Sequence, residues 1–221
     1  MKKFGAIIFD MDGTIIDTEQ IWKSVSIHLL AKRGIIVSEQ TAKELTAKLN
    51  GTSLFESCKV IKEMAQLSEE INDLVSEKNI IADHLYEQGI SFIEGFTAFH
   101  KTLAIHELKS GIATNATPST VAVTNKILNL EQFFGQHIYH IAHVNNIGKP
   151  NPAIYLHTAQ KLEIPPEQCI VIEDSSTGIR AAKTAGMFCI GINTSKDRKQ
   201  LAQADIIIDG YHEINLPDLL R

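Results

Sequence analysis

Residues 4–14 read Phe4-Gly5-Ala6-Ile7-Ile8-Phe9-Asp10-Met11-Asp12-Gly13-Thr14. The apolar run does not alternate, and it breaks off at two carboxylates and a glycine. Such a run fits a parallel strand covered on both faces, ending where the chain leaves the sheet. Gly13 lets the chain turn tightly there. Five later runs repeat the form: residues 111–113 before Thr114, 138–142, 169–172 before Glu173, 187–192 and 205–208. Helical segments separate most of them. Residues 118–130 carry Val121, Val123, Ile127 and Leu128, residues 152–162 start with a proline in the first turn, and residues 176–185 run up to Gly186. Strand–helix alternation predicts an α/β fold: a doubly wound, Rossmann-like parallel sheet with ligands at the carboxyl ends of its strands.

The stretch after the first strand reads differently. From Asp17 to Phe92 the pattern is helical, with Ile21, Trp22, Val25 and Leu29 on one stripe and further stripes over 53–67 and 69–88. Gly34, Gly51 and Gly89 punctuate it. The expected organisation is a core of residues 1–16 and 93–221, with a helical domain, residues 17–92, inserted after the first strand.

Composition limits the function classes. The chain has 221 residues, 44% hydrophobic and 21% charged, enough to bury a full core. Twenty-one basic against 26 acidic side chains give a net charge of −5 with no basic block, which argues against a nucleic-acid binder. No run approaches the ~20 apolar residues of a membrane span, and residues 4–9 are too few for a signal peptide. Cys58, Cys169 and Cys189 are odd in number and far apart, as expected of reduced thiols in a cytoplasmic protein. A monomer is expected.

Four polar clusters end the strands. Asp10 and Asp12, two residues apart, repel unless a proton or cation compensates; a hard ion such as Mg²⁺ takes oxygen ligands. One carboxylate can then act as nucleophile and the other as general acid and base. Thr114-Asn115-Ala116-Thr117 offers a hydroxyl and N–H groups to phosphate oxygens, although the same residues also cap helices. Lys149, in Gly148-Lys149-Pro150-Asn151-Pro152, is a point charge suited to phosphate, held on a restrained backbone. Glu173-Asp174 forms a second acidic pair, costly unless solvated or bound to metal. Any one cluster has an ordinary structural explanation. In a parallel sheet all four converge at one edge.

Taken in order, Asp10-x-Asp12-Gly13-Thr14, Thr114-Asn115, Gly148-Lys149-Pro150 and Glu173-Asp174-Ser175 resemble the four motifs of the haloacid dehalogenase-like hydrolase superfamily. The resemblance runs over essentially the whole chain and is to the phosphatase branch with a small helical cap. Asp17-Thr18-Glu19 and Glu173-Asp174-Ser175-x-x-Gly178 are similar to the β-phosphoglucomutase-like and sugar-phosphate phosphatase group. The resemblance implies that Asp10 attacks phosphorus and that Asp12 protonates the leaving alcohol, then activates water. It implies that Thr114, Asn115 and Lys149 bind the phosphoryl group. It also implies that Mg²⁺ is held by Asp10, the Asp12 carbonyl and Asp174, with Glu173 a further candidate.

Departures from the family pattern narrow the chemistry. Dehalogenases lack the second aspartate, so Asp12 argues against that activity. Phosphonatases use a cap lysine, and Lys23, Lys43, Lys48 and Lys59 have no context that singles one out. Mutases of the β-phosphoglucomutase kind carry a cap histidine where this chain has Trp22, and basic residues near the Gly51 loop, where it has Asn50 and Leu54. The expected activity is hydrolysis of a small phosphorylated metabolite, with a mutase or a non-catalytic phospho-ligand binder as alternatives. Glu19, Trp22 and residues 50–55, Gly51 among them, are the candidates for substrate contact in the cap. Trp22 also fits an apolar stripe, and Glu19 a first-turn acid. A strand over 138–142 would point His140 away from His137 and His143, so no metal site is expected among them.

Overall fold

The computed structural model describes residues 4–49 and 52–221. Strand β1 is Ala6–Phe9. After it come four helices, α1 (Glu19–Ala31), α2 (Glu39–Leu49), α3 (Leu54–Ala65) and α4 (Ile71–Gln88). Helix α5 (Phe96–Ile105) leads to β2 (Lys109–Ala113), then α6 (Pro118–Leu128), the short α7 (Glu131–Phe134) and β3 (Ile138–Tyr139). Helix α8 (Ala153–Leu162), β4 (Cys169–Glu173), α9 (Ser176–Thr184), β5 (Phe188–Ile192) and β6 (Ile206–Ile208) complete the sheet. The six strands are parallel in the order β3-β2-β1-β4-β5-β6. This is the doubly wound order, and it reverses direction at β1 and β4.

Register explains why the polar clusters meet. Phe9 pairs with Ile112 on one side and Ile172 on the other. One residue further along the three strands lie Asp10, Ala113 and Glu173, and one further still Thr114 and Asp174. Alternation along β1 sends Ile7 and Phe9 to one face and Ala6 and Ile8 to the other, each into its own buried cluster. The first cluster is aromatic: Phe9 meets Phe96 edge-on at 5.8 Å and Phe134 at 5.6 Å, and Phe96 meets Tyr211 at 5.8 Å. Aromatic edges of this kind add to the area they bury.

Within the helical insert, Leu29, Leu30, Leu45 and Ile61 form a third, smaller core. Ser53 caps α3 by accepting from the Glu56 N–H at 3.2 Å, so the chain turns sharply into that helix. Helix α4 buries Leu74, Lys78, Ala82 and Tyr86, one stripe at four-residue spacing, with a lysine in its middle.

Two expectations change. Helix α2 lies inside the stretch expected to be helical but on none of the stripes read there, and helix α5 has no counterpart in the sequence reading. The segment 138–142 is strand only over Ile138–Tyr139 and then turns into a 3₁₀ helix over Ile141–Val144. The alternation argument fails there: the His140 and His143 rings lie against each other, their centroids 3.9 Å apart. Among the described residues the one group of acidic, histidine and cysteine side chains close enough to hold a metal is Asp10, Glu173 and Asp174. No described helix is long and apolar enough to cross a membrane.

Phe96 is fully buried at the centre of the aromatic cluster. Phe96→Ala is expected to lower unfolding free energy by about 3–5 kcal/mol in urea titration, through lost transfer energy and a residual cavity. A change under ~1 kcal/mol would place the core elsewhere.

Candidate active site

Lys149 sits at the centre of the site. Its side chain is buried, and Nζ donates to Asp10 Oδ1 at 2.5 Å and to Glu173 Oε1 at 2.8 Å, lying 4.7 Å from the centroid of the Tyr155 ring. Burial pulls the Lys149 ammonium towards neutrality, but Asp10 and Glu173 outweigh it and push its pKa above the ordinary lysine value. Its backbone is also fixed, because the Lys149 N–H donates to Asn115 Oδ1 at 2.9 Å. Asn115 thus ties the end of β2 to the lysine loop.

Glu173 is anchored on both oxygens. Oε1 also accepts from the Tyr155 hydroxyl at 3.0 Å, and Oε2 accepts from the Ser175 N–H and the Ser175 hydroxyl, each at 2.9 Å. Four donors fill the acceptor capacity of a carboxylate in its own plane. Ser175 also caps α9, accepting from the Gly178 N–H at 3.1 Å. Gly178 is required by contact: a Cβ there would overlap the Glu173 carboxylate. Gly13 is required twice, by its φ of +79° and because a Cβ would overlap the Asp174 carboxylate.

Asp12 is held differently. Its Oδ1 accepts from the Thr18 hydroxyl at 2.9 Å, from the Trp22 indole N–H at 3.2 Å and from the Tyr86 hydroxyl. Trp22 and Tyr86 belong to α1 and α4, so the helical insert reaches directly onto this carboxylate. Burial raises the Asp12 pKa, and the three donors offset only part of that rise.

Asp10 and Asp174 carry the remaining strain. Burial lifts Asp10 to about 7, with Lys149 opposing and Glu173 and Asp12 assisting. Burial, Glu173 and Asp10 push Asp174 well above the carboxylate range. Candidate ligand oxygens of Asp10, Glu173 and Asp174 lie within 4.8 Å of one another. Four carboxylates against one ammonium leave a negative excess, and an all-oxygen donor set suits a hard divalent cation. Thr114 is buried beside them, its hydroxyl oxygen accepting from the Ala116 N–H at 3.0 Å.

These groups border one cavity of about 910 Å³, whose far wall is built by the helical insert. Glu19 lies exposed on α1 and lines the cavity without a bond to the acidic cluster. Gly51 and Asn50 lie outside the described residues. The sequence reading missed Thr18, Tyr86, Tyr155 and Lys78. Tyr86 and Lys78 were visible as polar members of the stripe Leu74, Lys78, Ala82, Tyr86. Tyr155 had no signal beyond its place on α8.

A doubly wound sheet that gathers four carboxylates, a threonine and one buried lysine at its carboxyl edge defines an α/β enzyme with an oxygen-lined, charge-dense centre. The chain belongs to the haloacid dehalogenase-like hydrolases, a family whose pattern matches residues 7–192. Among its relatives are a validoxylamine A 7'-phosphate phosphatase of Streptomyces hygroscopicus subsp. limoneus, 25% identical over 96% of each chain, and a phosphorylated carbohydrates phosphatase of Thermotoga maritima, 26% identical over 91% of this chain and 92% of that one. A solved β-phosphoglucomutase of Clostridium difficile superposes with a TM-score of 0.82 at 26% identity, covering 98% of this chain and 95% of its own.

Gly178→Ala tests whether Glu173 anchors the site. Alanine favours a helix over glycine by roughly 1 kcal/mol, so any loss isolates the overlap with Glu173. Urea unfolding is expected to show a net loss of about 3 kcal/mol or more, the usual effect of breaking a buried charge pair, whereas Ser176→Ala on the exposed side of the same helix stays near neutral. A stabilised Gly178→Ala protein would contradict the anchoring.

Proposed function

We propose that the chain is a Mg²⁺-dependent phosphatase that hydrolyses a small phosphorylated metabolite, a sugar phosphate or similar, through an aspartyl-phosphate on Asp10. The observation that carries this reading is the meeting of Asp10 with Lys149 and Asp174 at the switch point of the sheet. The relatives named for phosphorylated carbohydrates support the substrate class.

Asp10 and Asp174 are the side chains fitted to hold the ion, with Glu173 given over to Lys149, Tyr155 and Ser175. The ion supplies charge neutralisation at the phosphoryl oxygens, without which a carboxylate would be attacking a dianion. Lys149 neutralises the same oxygens and keeps Asp10 in line, and Thr114 with the N–H groups beside it completes the phosphoryl cradle. In the first step an Asp10 oxygen bonds to phosphorus while the ester P–O bond breaks, and Asp12 gives its proton to the departing alkoxide. In the second, water attacks phosphorus, Asp12 takes back a proton, and the acyl-phosphate P–O bond breaks to regenerate the Asp10 carboxylate. Burial suits Asp12 to this role by favouring its protonated form. The positioning and charge stabilisation these groups provide are what phosphoryl transfer mostly requires.

Residues 17–92 act as a cap domain over a core of residues 1–16 and 93–221. The cap excludes water and signals its closure through Trp22 and Tyr86 on Asp12. Reduced, buried Cys58, Cys169 and Cys189 support a cytoplasmic setting.

Wild-type protein is expected to release phosphate from p-nitrophenyl phosphate and from sugar phosphates with Mg²⁺ and to stop in EDTA, while Asp10→Asn loses at least ~10³-fold in kcat. Activity retained in that variant would rule out Asp10 as the nucleophile, and isomerised sugar phosphate in place of free phosphate would mark a mutase. Tyr86→Phe removes a donor that favours ionised Asp12, so the limb of the pH–rate profile set by Asp12 is expected to move to higher pH. A stationary profile would separate Tyr86 from the acid–base step.

A further inference from the structure

The acidic turn after β1 is gripped from outside by the far end of the chain. Its own bonding is complete without that help. The Gly13 N–H donates to the Ile16 carbonyl at 2.8 Å, and the Ile15 and Ile16 N–H groups donate to the Met11 carbonyl at 2.9 and 3.1 Å. Two further carbonyls of the turn are taken by hydroxyls. Thr194 Oγ1 donates to the Gly13 carbonyl at 2.7 Å, and the Tyr211 hydroxyl donates to the Thr14 carbonyl at 2.9 Å. Tyr211 is buried in the aromatic cluster, so its bond belongs to the core. Thr194 is different. It is half-buried in the loop after β5 and lines the cavity together with Gly13. A carbonyl facing a cavity could bond water almost as well, so the fold does not require this hydroxyl.

The loop is nevertheless built to hold Thr194 in place. The Asn193 N–H donates to the Ile208 carbonyl at 2.8 Å, its side-chain amide donates to Asp209 Oδ1 at 2.7 Å, and Arg198 Nη1 holds the other Asp209 oxygen at 2.6 Å. What the hydroxyl then fixes is the peptide beside the acidic cluster. Asp12 and Gly13 share a trans peptide, so the Asp12 carbonyl points away from the Gly13 N–H that Ile16 takes, out of the turn. Among the described residues that carbonyl accepts no hydrogen bond. Gly13 itself is packed so closely on the Asp174 carboxylate that a Cβ would overlap it, while its carbonyl is bonded to Thr194. Glycine is the residue about which a turn rotates most freely, and rotation here would shift the Asp12 carbonyl relative to Asp10 and Asp174. Mg²⁺ demands near-ideal octahedral placement of its oxygens and tolerates such shifts poorly.

We propose that Thr194 is a positioning residue of the cation site: by holding the Gly13 carbonyl it fixes the Asp12 carbonyl against Asp10 and Asp174, and so sets the affinity for the divalent ion. This rests on the Mg²⁺ part of the phosphatase reading and adds to it a residue that lies outside all four sequence motifs. Removing a group that orients a metal ligand costs about 10–100-fold in metal affinity or activity in other proteins.

The test reads ion binding with no substrate present. Mn²⁺ takes the same kind of oxygen ligands as Mg²⁺ and gives an EPR signal when free. It is titrated into wild type, Thr194→Val and Thr194→Ser, then displaced with Mg²⁺. Thr194→Val keeps the shape and loses the hydroxyl, and is expected to bind Mn²⁺ about tenfold more weakly or worse. Thr194→Ser keeps the hydroxyl and is expected to bind close to wild type. In EDTA, Thr194→Val is expected to melt close to wild type, because water replaces the lost donor. Equal Mn²⁺ affinity in wild type and Thr194→Val, or a Thr194→Ser protein as weak as Thr194→Val, would overturn the proposal. A Thr194→Val protein that melts clearly lower in EDTA would make Thr194 a structural residue and overturn it too. Asp174→Asn reports separately on the reading beneath: it is expected to weaken Mn²⁺ binding whatever residue 194 does. Wild type that binds no Mn²⁺, or binding that Asp174→Asn leaves unchanged, would count against the Mg²⁺ site itself and remove the proposal with it.

Discussion

The structure depends on a buried ammonium shared by two carboxylates. Lys149 could not remain charged between β1 and β4 without Asp10 and Glu173, and without Lys149 two carboxylates would be buried side by side with no cation between them. Much of the surrounding architecture keeps that triad in register. Parallel pairing aligns the ends of β1 and β4, Asn115 holds the lysine backbone, and Tyr155 and Ser175 hold Glu173. Gly178 leaves the room that the Glu173 carboxylate occupies. A chain that folds to this state has already assembled the centre of its site, because strand pairing and charge pairing are satisfied by the same register.

The helical insert is coupled to that centre through Asp12. Three donors on one carboxylate oxygen, two of them from α1 and α4, make the position of the insert part of the electrostatics of the site. A carboxylate held this way is oriented before any substrate arrives, the preorganisation that makes fixed groups effective. The edge-on Trp22–Tyr86 ring pair, 6.1 Å between centroids, braces both donors. Lys78 continues the same stripe away from Tyr86, so one face of α4 reaches from Asp12 to the far wall of the cavity.

How much of this was legible in the sequence follows from how local each signal is. The strands were readable because both faces of a parallel sheet are covered, leaving continuous apolar runs, and their polar ends marked the site residue by residue. The convergence of Asp10, Asp12, Thr114, Glu173 and Asp174 needed only the assumption of one parallel sheet, whereas Lys149 does not end a strand as expected but lies beyond the 3₁₀ helix that follows β3. Helix α2 did not stand out within the helical stretch because, among its described residues, Ala42 and Leu45 alone are fully buried. The segment after Tyr139 was misread because apolar character continues past the point where pairing with β2 stops. Tyr155 and Tyr86 act through hydroxyls delivered from helices far along the chain, and no local pattern reports that. Lys78 was the opposite case, a plain anomaly on an apolar stripe that a search for motifs passes over.

The most direct test of the account is to find the phosphoryl group on the protein. Wild-type enzyme mixed with a radiolabelled phosphomonoester and Mg²⁺, quenched in acid within milliseconds and digested, should carry label on the peptide containing Asp10, and the label should be lost on base treatment as an acyl phosphate is. Label on a different residue, or turnover with no label at any quench time, would contradict the covalent role of Asp10 on which the mechanism rests.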